Sequence, residues 1–152
     1  MPHVLLQKES NPSLNTVTAY GEGYLEINRE RFETSVCLAP EGPIRTLSLH
    51  SVADIDSTLL TELVGLRAAP QDPMAFLDDA PPPLERPDDA PEVVLIGTGS
   101  CQAFLPPDVI RPLLMAGIGV EAMTTHAAAR TYNILMSEER RVLALLLFGD
   151  SA

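Results

Sequence analysis

The clearest pattern of apolar and polar positions lies in the carboxyl half of the chain. An apolar run from Val93 to Ile96 stops at Gly97-Thr98-Gly99, and a second run, Ile118 to Met123, stops at Thr124-Thr125. A third unbroken run extends from Val142 to Phe148. Such runs predict strands covered on both faces, as in α/β proteins, where ligands or partners meet the carboxyl ends of the strands.

Helical spacing fills the intervals between these runs. Val109, Ile110, Leu113 and Leu114 recur on one face, and Pro112 predicts a short or kinked helix because proline has no amide donor. A second helix is predicted from about His126 to Glu138. The carboxyl half therefore predicts strand, helix, strand, helix, strand.

The amino half has shorter and weaker patterns. Thr16 to Ala39 is interrupted by turn residues such as Gly21 and Gly23, which predicts short strands in a small antiparallel sheet. Alternation from Ile44 to Leu49 predicts one more strand. Asp56 precedes leucines at helical spacing, so we expect a short helix that begins there.

The segment from Arg67 to Glu92 differs in composition from the rest. It holds half of the 14 prolines together with seven acidic residues. Proline removes backbone donors and like charges repel, which predicts an exposed acidic linker or insertion, residues 67–92, within a single domain of residues 1–152. At most a short turn is expected around Met74 to Leu77. A solvated linker is favoured, and an acidic arm that docks on a basic partner stays open as an alternative.

Composition and charge exclude several classes of function. A chain of 152 residues with 45% hydrophobic content can bury one core, and its net charge of −11 opposes nucleic acid binding. Lys8 is the only lysine, and Cys37 and Cys101 lack a Cys/His cluster, so neither lysine catalysis nor a metal site is expected. No cofactor is expected. Without a signal or transmembrane segment, the prediction is a cytoplasmic protein.

The loop that follows Val93 to Ile96 has two interpretations. Gly97-Thr98-Gly99-Ser100 suggests a phosphate cradle, because glycines let backbone amides approach an anion. A dinucleotide fingerprint would need a third glycine at Gln102, and a P-loop would need a Gly-Lys-Ser/Thr sequence that the chain lacks. A tight structural turn is therefore favoured.

Two further features near the predicted strand ends bear on chemistry. Cys101 follows the loop, and His126 at the end of the next strand is its candidate base. On the later helix, His126, Arg130, Asn133 and Ser137 form one polar stripe, which is either a solvated face or a site for a carboxylate or a partner's backbone. The predicted binding surface is Gly97, Thr98, Gly99, Ser100, Gln102, Thr124, Thr125, Arg130 and Asn133.

The sequence also resembles a known family of small domains. That family includes mitochondrial respiratory complex I assembly factor three, an adipogenesis-associated animal protein and many uncharacterised bacterial proteins. The resemblance rests on these residues: Gly97-Thr98-Gly99, Gln102, Phe104-Leu105-Pro106, Gly117-Ile118, Val120-Glu121, Met123, Thr125, Ala128, Thr131-Tyr132-Asn133 and Arg140-Arg141-Val142.

The resemblance implies a three-layer α/β fold with a mixed central sheet and a small antiparallel sheet beside it. It also implies a role in assembly or protein interaction. The chain departs from the family where Ser100, Cys101 and Ala103 replace basic residues, where Glu139 replaces a glycine and where Ala129 replaces a cysteine. Cys101 is therefore a weaker catalytic candidate.

These observations support two main hypotheses about function. The first is a non-enzymatic domain that binds another protein and assists assembly of a respiratory membrane complex. The alternative is a small-molecule-binding protein or weak enzyme that uses the loop from Gly97 to Gln102 with Cys101 as thiol and His126 as base. A homodimer through an edge of the Tyr20 to Ile27 strands is left open.

Overall fold

A computed structural model describes residues 4–5, 14–68 and 84–148 of the chain. This part contains a mixed five-stranded sheet, a four-stranded antiparallel sheet, a two-stranded ladder and α-helices on both faces of the larger sheet. The elements are β1 (Val4–Leu5), β2 (Val17–Gly21), β3 (Tyr24–Ile27), β4 (Glu30–Phe32), β5 (Ser35–Leu38), β6 (Arg45–Leu47), a 3-10 turn (Val52–Asp54), α1 (Ser57–Val64), β7 (Arg67–Ala68), β8 (Leu84–Glu85), β9 (Val93–Gly97), α2 (Pro107–Met115), β10 (Gly119–Met123), α3 (Thr125–Ser137) and β11 (Val142–Leu146).

The five-stranded sheet has the order β10-β9-β11-β5-β6. Strand β9 is parallel to β10 and to β11, whereas β11 and β5, and β5 and β6, are antiparallel. Helices α2 and α3 connect the three parallel strands. The strand, helix, strand, helix, strand prediction and the mixed central sheet are therefore confirmed.

Both faces of the central sheet are covered, which explains the unbroken apolar runs in the sequence. In β11, Leu143 and Leu145 face α1 and α2, where they join a core with Leu60 and Leu113. Ala144 and Leu146 face the opposite core, which contains Tyr132 of α3 and residues of the four-stranded sheet. The three-layer expectation is confirmed in this arrangement.

The helix boundaries follow the signals in the sequence. The Asp56 carboxylate accepts a hydrogen bond from the Leu59 amide at 2.8 Å, and Gly65 ends α1 in the left-handed region at φ 79°. Helix α2 begins at Pro107 and contains Pro112, and it is short, with nine residues. The Thr124 hydroxyl accepts from the Ala127 amide at the start of α3.

Two expectations about the amino half need correction. Residues 35–38 do not join the small sheet but form β5 of the central sheet, because Cys37 pairs with Leu145. Strands β2 and β3 each have neighbours on both sides in the order β1-β2-β3-β4, so the Tyr20 to Ile27 strands offer no free edge to a second copy. Within the predicted linker or insertion of residues 67–92, Arg67–Ala68 pair with Leu84–Glu85 as β7 and β8, and the assignment of the segment stays a prediction. The predicted turn around Met74 to Leu77 lies outside the described residues.

Candidate functional site

The glycines in the loop after β9 are required by close packing and by backbone conformation. A Cβ atom on Gly97 would lie 2.9 Å from the Cα of Thr125 and 3.0 Å from the Cδ2 of Leu146. Gly99 has a φ of 102°, which residues with side chains rarely adopt. The structure thus gives each glycine a structural role, as the tight-turn interpretation predicts.

Two buried threonines hold this loop in place. The Thr98 amide donates to the Met123 carbonyl at 2.8 Å, and the Thr98 hydroxyl donates to the Cys101 carbonyl at 2.7 Å. The Thr125 hydroxyl accepts from the Gly99 amide at 2.8 Å and donates to the Leu147 carbonyl. Because these bonds occupy the amides of Thr98 and Gly99, neither amide is available for a phosphate oxygen.

The outer part of the loop is exposed and borders strand β10. Ser100, Cys101 and Gln102 are exposed, and Gln102 Nε2 donates to the Ala122 carbonyl at 3.1 Å. Phe104 lies two residues further on and is 81% exposed. Phe104 is not in the binding surface predicted from the sequence, where it stands only among the residues that carry the family resemblance.

The polar stripe of α3 is used to hold the small sheet. Asn133 accepts from the Val17 amide at 3.0 Å through Oδ1 and donates to the Val17 carbonyl at 2.8 Å through Nδ2. Arg130 donates to the Tyr20 hydroxyl at 2.9 Å. Asn133 therefore binds a backbone, but the backbone belongs to its own chain.

The predicted surface is brought together only in part. Thr125 bonds to Gly99 through both its amide and its hydroxyl, which joins the start of α3 to the loop. Arg130 and Asn133 bond to β2 instead, and within the described residues neither forms a hydrogen bond with the loop. Binding of a partner by this set of residues stays a prediction.

The thiol and base hypothesis receives no support from the contacts of His126. Its Nε2 lies 2.8 Å from the Gly21 carbonyl, which can only accept, so Nε2 carries a proton. Its ring centroid lies 4.4 Å from that of Tyr20. No hydrogen bond joins Cys101 to His126 in the described part of the chain.

The two cysteines lie in contrasting environments. Cys101 is exposed, whereas Cys37 is buried in β5. Burial raises the pKa of the Cys37 thiol to about 11, and the nearby Arg45 guanidinium partly offsets this increase. Among the residues the structure describes, no three His, Cys, Asp or Glu side chains form a cluster that would hold a metal ion.

A groove outside the surface predicted from the sequence lies at the start of β11. Pro91, two residues before β9, is part of its lining. The groove encloses about 550 Å³ and is lined by apolar side chains such as Met136 together with Arg140 and Arg141. Both arginines are engaged, since Arg140 pairs with Glu92 at 3.2 Å and Arg141 Nε donates to the Ala90 carbonyl at 2.9 Å. The adjacent arginines before an apolar run were the only signal of this groove in the sequence.

Comparison with known proteins places the chain in a family. Residues 17–147 match the family described as proteins of unknown function, DUF498/DUF598. The chain belongs to this family. A Bordetella pertussis protein described as a Mth938-like domain is 51% identical, with 96% of this chain and 94% of that chain covered and a TM-score of 0.72. A Bordetella parapertussis protein is 47% identical, with 89% and 96% covered and a TM-score of 0.70. The fold of this DUF498/DUF598 protein is thus Mth938-like.

One curated relative of this DUF498/DUF598 protein has a name that refers to a membrane. It is the 13 kDa major membrane protein of Francisella tularensis subsp. holarctica, which is 39% identical over 57 residues. The match covers 38% of this chain and 46% of the relative, so the chain spans less than half of that relative's length. In the described part of this chain, no helix combines the length and the apolar character needed to cross a membrane.

Proposed function

We propose that this DUF498/DUF598 protein is a non-enzymatic protein-binding domain whose partner docks at the loop from Gly97 to Gln102 and at Phe104. The observation that carries the proposal is the exposure of Phe104, at 81%, beside a loop whose hydrogen bonds are made within the chain. Aromatic side chains on preorganised surfaces supply much of the affinity in protein interfaces, because little flexibility is lost on binding.

The absence of a convergent catalytic set in the described residues also favours binding over chemistry. The loop threonines bond to backbone groups, and His126 bonds to Gly21 rather than to Cys101. The alternative of a small-molecule site or weak enzyme would need Cys101 and His126 to act together. Their separate contacts therefore favour the first hypothesis.

We further propose that the partner belongs to a respiratory membrane complex and that the domain works on the cytoplasmic side. The sequence resemblance to complex I assembly factors supports this role. The name of the Francisella tularensis relative is in keeping with work at a membrane. A peripheral domain needs no spanning helix of its own, because it binds the exposed part of a membrane subunit.

The test compares capture of partners by wild type, Phe104→Ser and Leu84→Ser chains. Leu84 in β8 is also an exposed apolar residue, so Leu84→Ser removes a similar apolar surface elsewhere. Each chain is expressed in the source organism, cross-linked, purified and analysed by quantitative mass spectrometry. Phe104→Ser should reduce capture of a respiratory subunit at least about tenfold, which corresponds to about 1.4 kcal/mol. Leu84→Ser should leave capture unchanged.

Two results would contradict parts of the proposal. An unchanged partner set with Phe104→Ser would remove this surface as the docking site, provided that the variant unfolds at the wild-type urea concentration. Capture of partners unrelated to respiratory complexes would remove the assembly role. A native gel of membrane complexes from cells that carry only the variant then measures the assembled fraction directly.

A further inference from the structure

Strand β10 is an open edge of the central sheet. Among the strands that the structure describes, it pairs with β9 alone, and at five residues it is longer than the other edge strands, which contain two or three residues. Sheet edges with unpaired backbone groups are sites where another strand can add. The identity of the unpaired groups on β10 follows from its hydrogen bonds.

The bonds at the two ends of β10 define which residues face outward. The Gly119 amide donates to the Glu92 carbonyl at 3.0 Å, and the Met123 carbonyl accepts from the Thr98 amide at 2.8 Å. Alternate residues of a parallel strand bond to the same neighbour. Gly119, Glu121 and Met123 therefore face β9, while Val120 and Ala122 direct their backbone groups away from the sheet.

Part of this outward edge is already occupied. Gln102 Nε2 donates to the Ala122 carbonyl, and the Ile118 amide donates to the Leu113 carbonyl at 2.9 Å. Within the described residues, the amide and carbonyl of Val120 and the amide of Ala122 have no hydrogen-bond partner. Three backbone groups are thus open to an added strand.

Exposed apolar side chains belong to the segments that contact this strand. Phe104 lies two residues after Gln102, whose side chain bonds to the edge, and Met115, also 81% exposed, ends α2 four residues before β10 begins. On α3, Thr131 contacts the Met123 sulfur at 3.6 Å, and Ile134, one turn later on the same face, is 56% exposed. An added strand would cover apolar surface on both faces of the sheet edge.

The charge of Glu121 indicates which kind of strand fits. Glu121 is exposed on β10 and forms no ion pair in the described part of the chain. A second copy whose Val120 pairs with Ala122 would place Glu121 opposite its counterpart, and like charges opposite each other are destabilising. A net charge of −11 on each copy adds to this repulsion. A basic partner segment has neither penalty.

We infer that β10 accepts an extended segment of a partner protein by strand addition, with a lysine or arginine of the segment opposite Glu121 and apolar residues opposite Val120 and Ala122. This inference rests on the proposed protein-binding function and specifies its mode. The segment bonds to the free groups of Val120 and Ala122, and its neighbouring surface covers Phe104. Gln102 keeps the Ala122 carbonyl satisfied in the absence of a partner.

The test uses three synthetic peptides as probes of the full chain. The first alternates lysine and valine, the second alternates glutamate and valine, and the third is the first with its alternate backbone amides methylated. Amide hydrogen exchange and shifts are followed by NMR. We expect the lysine peptide alone to slow exchange of the Val120 and Ala122 amides by at least about tenfold at saturation. In the free protein these two amides should exchange faster than those of Glu121 and Met123.

Charge reversal supplies a matched pair of variants. Glu121→Lys should weaken binding of the lysine peptide by about fivefold or more, because repulsion replaces the attraction of an exposed ion pair. Glu30→Lys, on the exposed edge strand β4, should leave its affinity unchanged. Equal loss with both variants would mean a nonspecific charge effect and would overturn the inference.

The outcomes separate this inference from the proposed function. If Phe104→Ser abolishes partner capture but no peptide protects Val120 and Ala122, the protein binds its partner by another mode and strand addition is wrong. Protection by the methylated peptide as strong as by its parent gives the same conclusion. If the lysine peptide protects this edge while Phe104→Ser leaves partner capture unchanged, strand addition at β10 is supported and Phe104 is not part of the docking surface.

Discussion

The two sides of α3 differ in the roles of their side chains. Polar side chains on one side make contacts inside the protein, and an apolar side chain on the other side is exposed. On one side, Asn133 and Arg130 bond to β2, and the polar groups join the helix to the small sheet. On the other side, Ile134 is exposed one turn after Thr131, which contacts Met123 of β10, and no strand of the described part pairs with the outer edge of β10. Polar side chains thus hold the fold together, while apolar side chains remain available.

This contrast indicates which side of α3 has surface free for a binding partner. Asn133 uses both its amide donor and its carbonyl oxygen on Val17, so a partner would have to compete with a bond inside the protein. Phe104 and Ile134 have most of their surface in water, so a partner gains apolar contacts without breaking any. The β10 side, defined as Phe104, Met115, Ile134 and the β10 edge, therefore has more apolar surface free for the proposed partner.

The largest expected difference between a closed and an open region concerns the two cysteines. At neutral pH, a pKa of about 11 leaves only about one Cys37 thiol in ten thousand as the reactive thiolate, and burial also blocks access. We expect iodoacetamide to modify Cys101 at least about a hundredfold faster than Cys37 in the folded protein, as measured by peptide mass spectrometry. In urea the two rates should converge. Equal rates in the folded protein would show that β5 opens readily. Cys101 reacting faster than a free peptide thiol would restore the nucleophile hypothesis.

The next largest effect is expected at Asn133. Asn133→Ala removes two hydrogen bonds and leaves the amide and carbonyl of the buried Val17 unpaired, which should lower the free energy of unfolding by about 2–3 kcal/mol. Urea denaturation measures this change. Gln102→Ala, which removes an exposed side-chain hydrogen bond, should cost less than about 0.5 kcal/mol. Similar small losses for both variants would mean that the polar contacts of α3 do not stabilise the fold.

Tyr132 tests the closed side of α3 through pH. Its hydroxyl donates to the Asn15 carbonyl at 2.8 Å, and burial raises its pKa above the ordinary value for tyrosine. The folded state therefore holds this proton more tightly than the unfolded state. The contribution of Tyr132 to the free energy of unfolding is complete below about pH 10 and decreases above it. Tyr132→Phe should lose about 1 kcal/mol at neutral pH through the missing hydrogen bond.

The decisive measurement for Tyr132 is the slope of unfolding free energy between about pH 9 and 11. Cys37 contributes to this slope in both proteins, because burial raises the pKa of its thiol in the folded state. Its contribution to stability is therefore also lost as the pH rises. The free energy of unfolding of the Tyr132→Phe variant should decrease less steeply above about pH 10 than that of the wild type. Identical slopes would show that Tyr132 ionises as easily in the folded protein as in the unfolded chain.

Local pattern predicted the core of this fold well, for a physical reason. The strands β9 and β11 are covered on both faces, so each gives an unbroken apolar run, and Asp56 and Gly65 give α1 a readable start and end. Glu139 has a φ of 63°, in the left-handed region, and this is the position at which the resembling family carries a glycine. The left-handed backbone conformation at Glu139 could therefore have been predicted from the glycine that the resembling family carries there.

The remaining features depend on contacts between distant parts of the chain. Residues 35–38 look like part of a small sheet until β11 is placed beside them. The spacing of Arg130 and Asn133 shows that they share a helix face but not that β2 lies opposite. The free edge of β10 follows from strand order alone, which no local pattern contains.

The smallest effect is expected at Ile134, the neighbour of Asn133. Ile134→Ala removes an apolar side chain that is already 56% exposed, and alanine has the higher helix propensity. These two effects offset each other, so the free energy of unfolding should stay within about 0.5 kcal/mol of the wild type. The measurement is the same urea titration as for Asn133→Ala. A loss as large as that of Asn133→Ala would mean that Ile134 packs inside the folded protein. In that case the β10 side would be closed, and the contrast between the two sides of α3 would disappear.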